Sequence, residues 1–273
     1  MLSIITINFN NALGLNKTIE SVKSQTFTDY EYIIIDGGSS DDSVEIIENF
    51  SKLSKQSILY VSEQDKGIYN AMNKGIKLAQ GDYCLFLNSG DILYDENVLA
   101  NAFSNEIIAD IVCFDAMFVL NGVEELHKYP DEISFNYLYH GSLCHQSLLY
   151  KRVLFTQFGN YNENYKIVSD WELNIRFLIN NNCTYKHFNF IFVKYGLDGI
   201  SFSDSGKELD LNERNRVLSS CFAKRVLIDY VKLNRIEQDD TYILWQKINS
   251  KYIKKLHYYI VRLLRRLDKL ITK

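Results

Sequence analysis

Four short apolar runs in the first ninety residues most constrain the fold, because each is followed by a helical pattern and each ends in polar residues. "SIITINF" (3–9), "YEYIIID" (30–36), "SILYVSE" (57–63) and "YCLFLN" (83–88) are rich in β-branched and aromatic side chains. Between them, "LNKTIESVKSQ" (15–25), "SVEIIENFSKL" (43–53) and "GIYNAMNKGIKLAQG" (67–81) place apolar residues at helical spacing, the last expected to close at Gly81. Continuous apolar strands separated by helices predict an α/β fold with a mostly parallel, doubly wound sheet covered on both faces. Ligands of such sheets bind beyond the carboxyl ends of the strands. The polar clusters "NFNN", "DGGSSDDS", "SEQDKG" and "NSGD" all fall at those ends.

Beyond residue 110 the pattern loosens. "DIVCFDAMFVL" (110–120) and "YKHFNFIFVKYG" (185–196) predict strands, and "SDWELNIRFLINNN" (169–182) a helix with an acidic first turn. "GSLCHQSLLY" (141–150) fits strand or loop, and from Glu208 the chain looks helical. With 273 residues, 47% hydrophobic, the chain can bury one large domain with an appendage, and its single proline argues against long linkers. Five scattered cysteines without a C-x-x-C pair disfavour a zinc site or a disulfide framework. The sequence shows no signal-peptide pattern and no stretch of about 20 apolar residues, so a cytoplasmic location is expected. Net charge is −4, but residues 247–273 carry nine basic residues and one acid, a balance of +8 that leaves −12 on the rest.

Three constellations carry chemistry. In "IIIDGGSSDDS", an aspartate at a strand end is followed by glycines that let backbone approach a ligand and by a helix start with free N–H groups. A turn followed by an N-cap from Ser40, Asp41 or Asp42 explains the same residues. No G-x-G-x-x-G and no G-x-x-x-x-G-K-[ST] is present, which counts against dinucleotide and P-loop sites. In "NSGD", Asp91 offers a carboxylate and Asn88 a carbonyl oxygen, the hard donors that Mg²⁺ or Mn²⁺ takes alongside substrate phosphates. A strand-ending turn is the plainer alternative. In "SDWEL", Asp170 or Glu172 suits a general base if it faces a pocket, although acidic first turns are also a common way to start a helix.

The order "SIITINFN", "IIIDGGSSDDS", "SEQDKGIYNAMNKGIKLAQGDYCLFLNSGD" and "SDWEL" resembles glycosyltransferase family 2 over roughly residues 1–205, most specifically over 63–91. The resemblance implies a GT-A fold and an inverting, metal-dependent transfer from a nucleotide-sugar, a UDP-sugar by family habit. It also suggests a role in surface polysaccharides such as O-antigen or capsule. It divides the chain into a catalytic domain (1–205), with a nucleotide-sugar-binding half (1–100) and an acceptor half (101–205), and a helical extension (206–273). Carried over by position, Asn8 and Asp36 lie against the nucleotide base, with Asp36 accepting from a base N–H. Asp65 and Lys74 fall in the donor-binding stretch. Asn88, Ser89 and Asp91 take the place of the D-x-D motif, with Asp91 as the acidic metal ligand. Asp170 matches the catalytic base, with Ser169 where the family has a glutamate, and His145, Gln146 and Glu172 fall on the acceptor side. "DGIS" (198–201) matches a loop that closes near the donor. With one acid in "NSGD", weaker metal binding is expected than with two carboxylates; losing an acid beside Asp170 removes a like charge and favours its ionisation.

In "KYIKKLHYYIVRLLRRLDKL", Ile253, Leu256, Ile260, Leu263, Leu267 and Leu270 recur at three- and four-residue steps, with Lys251, Lys255, Arg262, Arg266 and Lys269 opposite. Such a basic amphipathic helix suits an anionic membrane surface, where a polyprenyl-diphosphate-linked acceptor would be met. Packing on the body or pairing with a second copy as a homodimer are the alternatives. Nucleic acid is not expected as a partner. Two other function classes compete: a silent nucleotide-sugar-binding scaffold, and a nucleotidyltransferase, whose Gly-rich, Arg-containing loop "NFNNALG" does not supply.

Overall fold

The computed structural model describes residues 1–53, 58–196, 204–237 and 251–271. Four expected strands form, as β1 (Leu2–Asn8), β2 (Tyr30–Asp36), β3 (Ile58–Ser62) and β4 (Tyr83–Asn88). The helices between them are α1 (Ala12–Lys23), α2 (Ser43–Leu53) and α3 (Ile68–Leu78). All seven residues of β1 are buried, as a strand covered on both faces requires. These four strands pair in parallel in the order β3-β2-β1-β4. Strands β2 and β3 lie to one side of β1 and β4 to the other, so the winding reverses at β1 and opens a crevice at the carboxyl ends. The register sets Asn8 beside Asp36 and Asp36 beside Ser62, while Ile7 faces Asn88.

Helix α3 stops at Leu78, short of the expected glycine. Gly81 instead meets β1, where a Cβ would lie 2.7 Å from the backbone nitrogen of Ser3. Gly75 admits the same close approach inside α3, since a Cβ there would lie 2.4 Å from Ile5 Cγ2.

The second half adds β5 (Ile92–Leu93), α4 (Val98–Ser104), β6 (Ile111–Leu120), β7 (Val123–His127) and α5 (Phe135–His140). One 3₁₀ turn (His145–Ser147) leads into β8 (Leu148–Lys151), which resolves the ambiguous 141–150 segment and runs antiparallel to β4 and β6. The chain continues through α6 (Val153–Phe158), α7 (Ser169–Asn174) and β9 (Tyr185–Gly196). The predicted 169–182 helix is α-helical only to Asn174 and then widens into a π-helix over Ile175–Asn180. Strands β6 and β7 form a hairpin not anticipated from the sequence. Asn121 (φ 51°) and Gly122 (φ 79°) make its two-residue turn, and that dipeptide is the strongest local hairpin signal.

The C-terminal helices are α8 (Asp204–Cys221), α9 (Lys224–Glu237) and α10 (Lys251–Ile271). Two compact units result, Met1–Val217 and Leu218–Lys273, so the boundary falls inside α8, within the stretch expected to be an extension. Among the described residues no helix is long and apolar enough to cross a membrane. The "DGIS" segment (198–201) lies outside the described residues, as do 247–250 and 272–273 of the tail.

Candidate active site

The carboxyl ends of β1, β2 and β3 are locked together through Asp36. It is fully buried, and its Oδ1 accepts from Asn8 Nδ2 (2.8 Å) and Ser39 Oγ (2.6 Å). Its Oδ2 accepts from Ser62 Oγ (2.7 Å), Ser39 N (2.9 Å) and Gly38 N (3.2 Å). Burial pushes the Asp36 carboxyl up, but the hydrogen bonds from Ser39, Ser62 and Asn8 outweigh it and hold the group below the ordinary carboxylate range. With five donors in place, a base N–H reaches Asp36 only if a serine hydroxyl turns away.

Asp65 lies against the same loop. Its Oδ1 accepts from Gly67 N (2.9 Å), and its Oδ2 would sit 2.6 Å from a Cβ at Gly37. Phe9, just past β1, is 63% exposed, and its ring would meet that same Cβ at 3.2 Å. An apolar ring presented to solvent beside a Cβ-free floor is a surface on which a planar base can stack. Lys74, by contrast, is turned to Glu63 Oε1 (2.8 Å) and to the Gln64 carbonyl (3.3 Å).

At the end of β4 the chain folds back on itself. Asp91 is buried, and its Oδ2 accepts from Asn88 N (2.9 Å) and Gln146 Nε2 (3.0 Å). Burial pushes the Asp91 carboxyl up, against the hydrogen bond from Gln146 and the neighbouring His145. Asn88 Oδ1 is buried with no partner. Ser89 is tied to the backbone by N and Oγ, both donating to Ile7 O at 3.0 and 3.2 Å. Thr18 of α1 braces this turn: its hydroxyl donates to Asp91 O (2.7 Å) and accepts from Gly90 N (2.9 Å). A hydroxyl on the apolar stripe of Leu15, Ile19 and Val22 was the sequence signal for Thr18.

Asn88 Oδ1, buried with no hydrogen bond among the described residues, and the Asp91 carboxylate are hard oxygens at one strand end, of the kind a divalent cation takes. No cluster of three His, Cys, Asp or Glu side chains exists among the described residues, so a cation here would complete its shell with substrate oxygens.

His145 joins this turn to α7. Asn88 Nδ2 lies 3.3 Å from its Nε2, and Asp170 Oδ2 lies 3.3 Å from its Nδ1. With the amide donating, the ring proton is assigned to Nδ1 and points at the carboxylate. Asp170 is half-buried, and its Oδ1 accepts from Trp171 N (2.8 Å). Tyr69 of α3, absent from the expected site, places its hydroxyl 3.5 Å from Asp170 Oδ1 while donating to Ile167 O (2.5 Å).

Glu172 is not brought to this cluster. Two positions on from Asp170, it projects from a nearly opposite face of the helix. Both its oxygens take the Arg176 guanidinium, at 3.0 and 2.8 Å. Arg176 in turn donates to the carbonyls of Phe158, Gly159 and Asn160, so the pair fastens a loop. Ser169 is also internal, accepting from Asn162 N at 2.7 Å. Gln146 serves Asp91 from beneath the β4 turn.

The Glycosyl transferase family 2 profile matches residues 3–139. A "PGL/p-HBAD biosynthesis glycosyltransferase" of Mycobacterium bovis is 31% identical over 217 residues, covering 76% of this chain and 82% of that relative. Among solved structures, S. aureus TarS 1-349 in complex with UDP-GlcNAc superposes with a TM-score of 0.59 at 19% identity, covering 76% of this chain and 64% of that one. The mannosyltransferase PcManGT of Pyrobaculum calidifontis, in complex with GDP-Man and Mn²⁺, gives 0.54 at 11% identity, covering 89% and 82%.

Proposed function

The chain belongs to glycosyltransferase family 2 and carries the GT-A fold, and from that premise we propose that it moves a sugar from a UDP-sugar to a saccharide or lipid-linked hydroxyl with inversion. The observation that carries this reading is the imidazole of His145, which spans from Asn88, at the turn suited to a diphosphate, to Asp170 on α7. A leaving-group end and a base one side chain apart are what a single in-line displacement needs.

In this reading the base stacks on Phe9 and the ribose and diphosphate run along the strand ends past Gly37 and Asn88. Asp36 and Asn8 form the floor, and Asp65 flanks the donor. Asp170 accepts the proton of the acceptor hydroxyl, and His145 Nδ1–H fixes the carboxylate so that a lone pair faces that hydroxyl. Asp91 and Asn88 would hold Mn²⁺ or Mg²⁺, which when bound neutralises charge gathering on the departing diphosphate. The half before residue 100 serves the donor, and 101–205 the acceptor. A cytoplasmic role in surface polysaccharide assembly, with residues 247–273 on the anionic inner membrane surface, agrees with the basic balance of that segment.

The test measures nucleoside diphosphate release from UDP-, GDP- and dTDP-sugars with Mn²⁺, with Mg²⁺ and with EDTA, on wild type, Asp91→Ala and Asp170→Asn. The expected result is slow metal-dependent UDP release, lost in Asp91→Ala, with Asp170→Asn lowering kcat by about 10²- to 10⁴-fold while still binding donor. The single acid in residues 88–91 favours one other reading, a donor-binding scaffold. Donor binding without turnover under every condition would establish the scaffold.

A further inference from the structure

Glu213 lies on α8, beyond the stretch matched by the family profile, yet it is only 3% exposed. A carboxylate is costly to bury unless hydrogen bonds replace its water. Here, among the described residues, its hydrogen-bond partners are backbone amides. Lys166 N donates to both oxygens (2.9 and 3.1 Å), Ile167 N to Oε2 (3.0 Å) and Val168 N to Oε2 (3.3 Å). These three amides stand immediately upstream of Asp170, where α7 begins.

The opening N–H groups of a helix have no partner within it and need one from outside. Val168, at the N-cap position of α7, makes no side-chain cap hydrogen bond. Glu213 acts one step earlier: it holds the N-cap amide of Val168 and the two amides before it, which lie outside the helix. The opposite side of the same loop is held by Tyr69, whose hydroxyl donates to Ile167 O and lies 3.5 Å from Asp170. Burial pushes the Tyr69 phenol well above its ordinary range, and the charges of Asp170 and Glu213 add to the effect. Next to Glu213, the Arg214 guanidinium lies 4.4 Å over the Trp171 ring and donates to Gly141 O (3.1 Å). Val217, one turn on, is fully buried. Helix α8 therefore grips the backbone just before Asp170 and the side chain just after it.

We infer that Glu213 is a positioning residue for the reaction: by clamping the amides of residues 166–168 it fixes where the Asp170 carboxylate sits. The inference rests on the assignment of Asp170 as the base and extends the functional unit into α8. Apolar contacts alone would seat α8 on the body at lower desolvation cost. A carboxylate aimed at three consecutive amides adds a fixed geometry that apolar packing lacks. A misplacement of about 1 Å at a reacting group costs up to about 10²-fold in rate.

The test compares wild type, Glu213→Gln, Glu213→Ala and Asp170→Asn in full-length protein. It uses the nucleotide sugar that wild type turns over fastest, and reads kcat, KM, donor affinity and melting temperature, with and without added formate. Glu213→Ala is expected to lower kcat by about 10- to 100-fold with donor KM and affinity unchanged. Formate, small enough for the emptied amide pocket, is expected to restore part of kcat, and Glu213→Gln to fall between. Wild-type kcat in Glu213→Ala would overturn the inference. So would a joint fall of kcat, donor affinity and melting temperature in both Glu213 variants without formate rescue, which marks a merely structural role. If Asp170→Asn keeps its turnover, the base assignment fails and the inference with it. If Asp170→Asn loses turnover while Glu213→Ala does not, only the inference fails.

Discussion

Asp36 shows how a single side chain does two jobs at a strand end. Its five hydrogen bonds tie β1, β2 and β3 into one rim, and they favour the ionised form. A carboxyl whose folded pKa is depressed adds stability that is fully present above its unfolded value, about 3.9. That stability is lost as the pH falls toward the lower folded value. The melting-temperature gap between wild type and Asp36→Asn is therefore expected to be constant from pH 7 to about 5 and to shrink below about 4, as read by thermal denaturation across pH. A gap that widens on acidification would contradict the assignment. Gln146 is a second case. It was expected on the acceptor side, but its amide supports the buried Asp91 carboxylate from within.

Among elements, α3 does more than fill a face of the sheet. Its apolar stripe packs Tyr69, Met72 and Ile76 inward, while Asn70 and Asn73 reach the loop before α7. Asn73 exchanges bonds with the Tyr161 backbone, at 2.9 and 3.0 Å. Residues 63–91 thus include side chains that hold the loop leading into α7. Close contact of α3 with β1 depends on Gly75. Gly75→Ala would drive a methyl into Ile5, at an expected cost of about 1–3 kcal/mol. That predicts a melting temperature lower by roughly 2–12 °C, measurable by calorimetry. An unchanged melting temperature would mean that α3 shifts freely, against the packing described.

On the scale of the whole molecule, charge is unevenly shared, with +8 on residues 247–273 against −12 elsewhere. Helix α10 exposes Tyr252, Ile253, Leu256, Tyr259, Ile260 and Leu264, and a basic set follows Lys254, Lys255 and Arg262. Replacing those three basic residues by Glu is expected to weaken binding to vesicles containing phosphatidylserine by at least roughly a hundredfold, at about 1 kcal/mol per basic residue removed. Nucleoside diphosphate release in solution should be unaffected. A sedimentation assay reads the first and the release assay the second, and equal vesicle binding by both proteins would exclude the membrane surface.

Period and punctuation in the sequence were enough to determine the first half of this protein. β-Branched runs, helical stripes and polar strand ends specify local conformation directly, so β1 to β4 formed close to their expected limits and Asn8, Asp36, Asn88 and Asp91 came to one edge. The later elements are short, and their signals are weak; even the Asn121–Gly122 turn passed unnoticed between runs that also fit other structures. What only the tertiary structure decided is which way the polar side chains turn. Asp170 and Glu172 are near neighbours in sequence with the same chemistry, yet one faces His145 and the other Arg176, because successive helix positions point in different directions and the partners come from distant segments. Glu213 carries no local signal at all. Its role exists only because α8 returns to the loop before α7, and burial there leaves a carboxylate no choice but the backbone amides it meets.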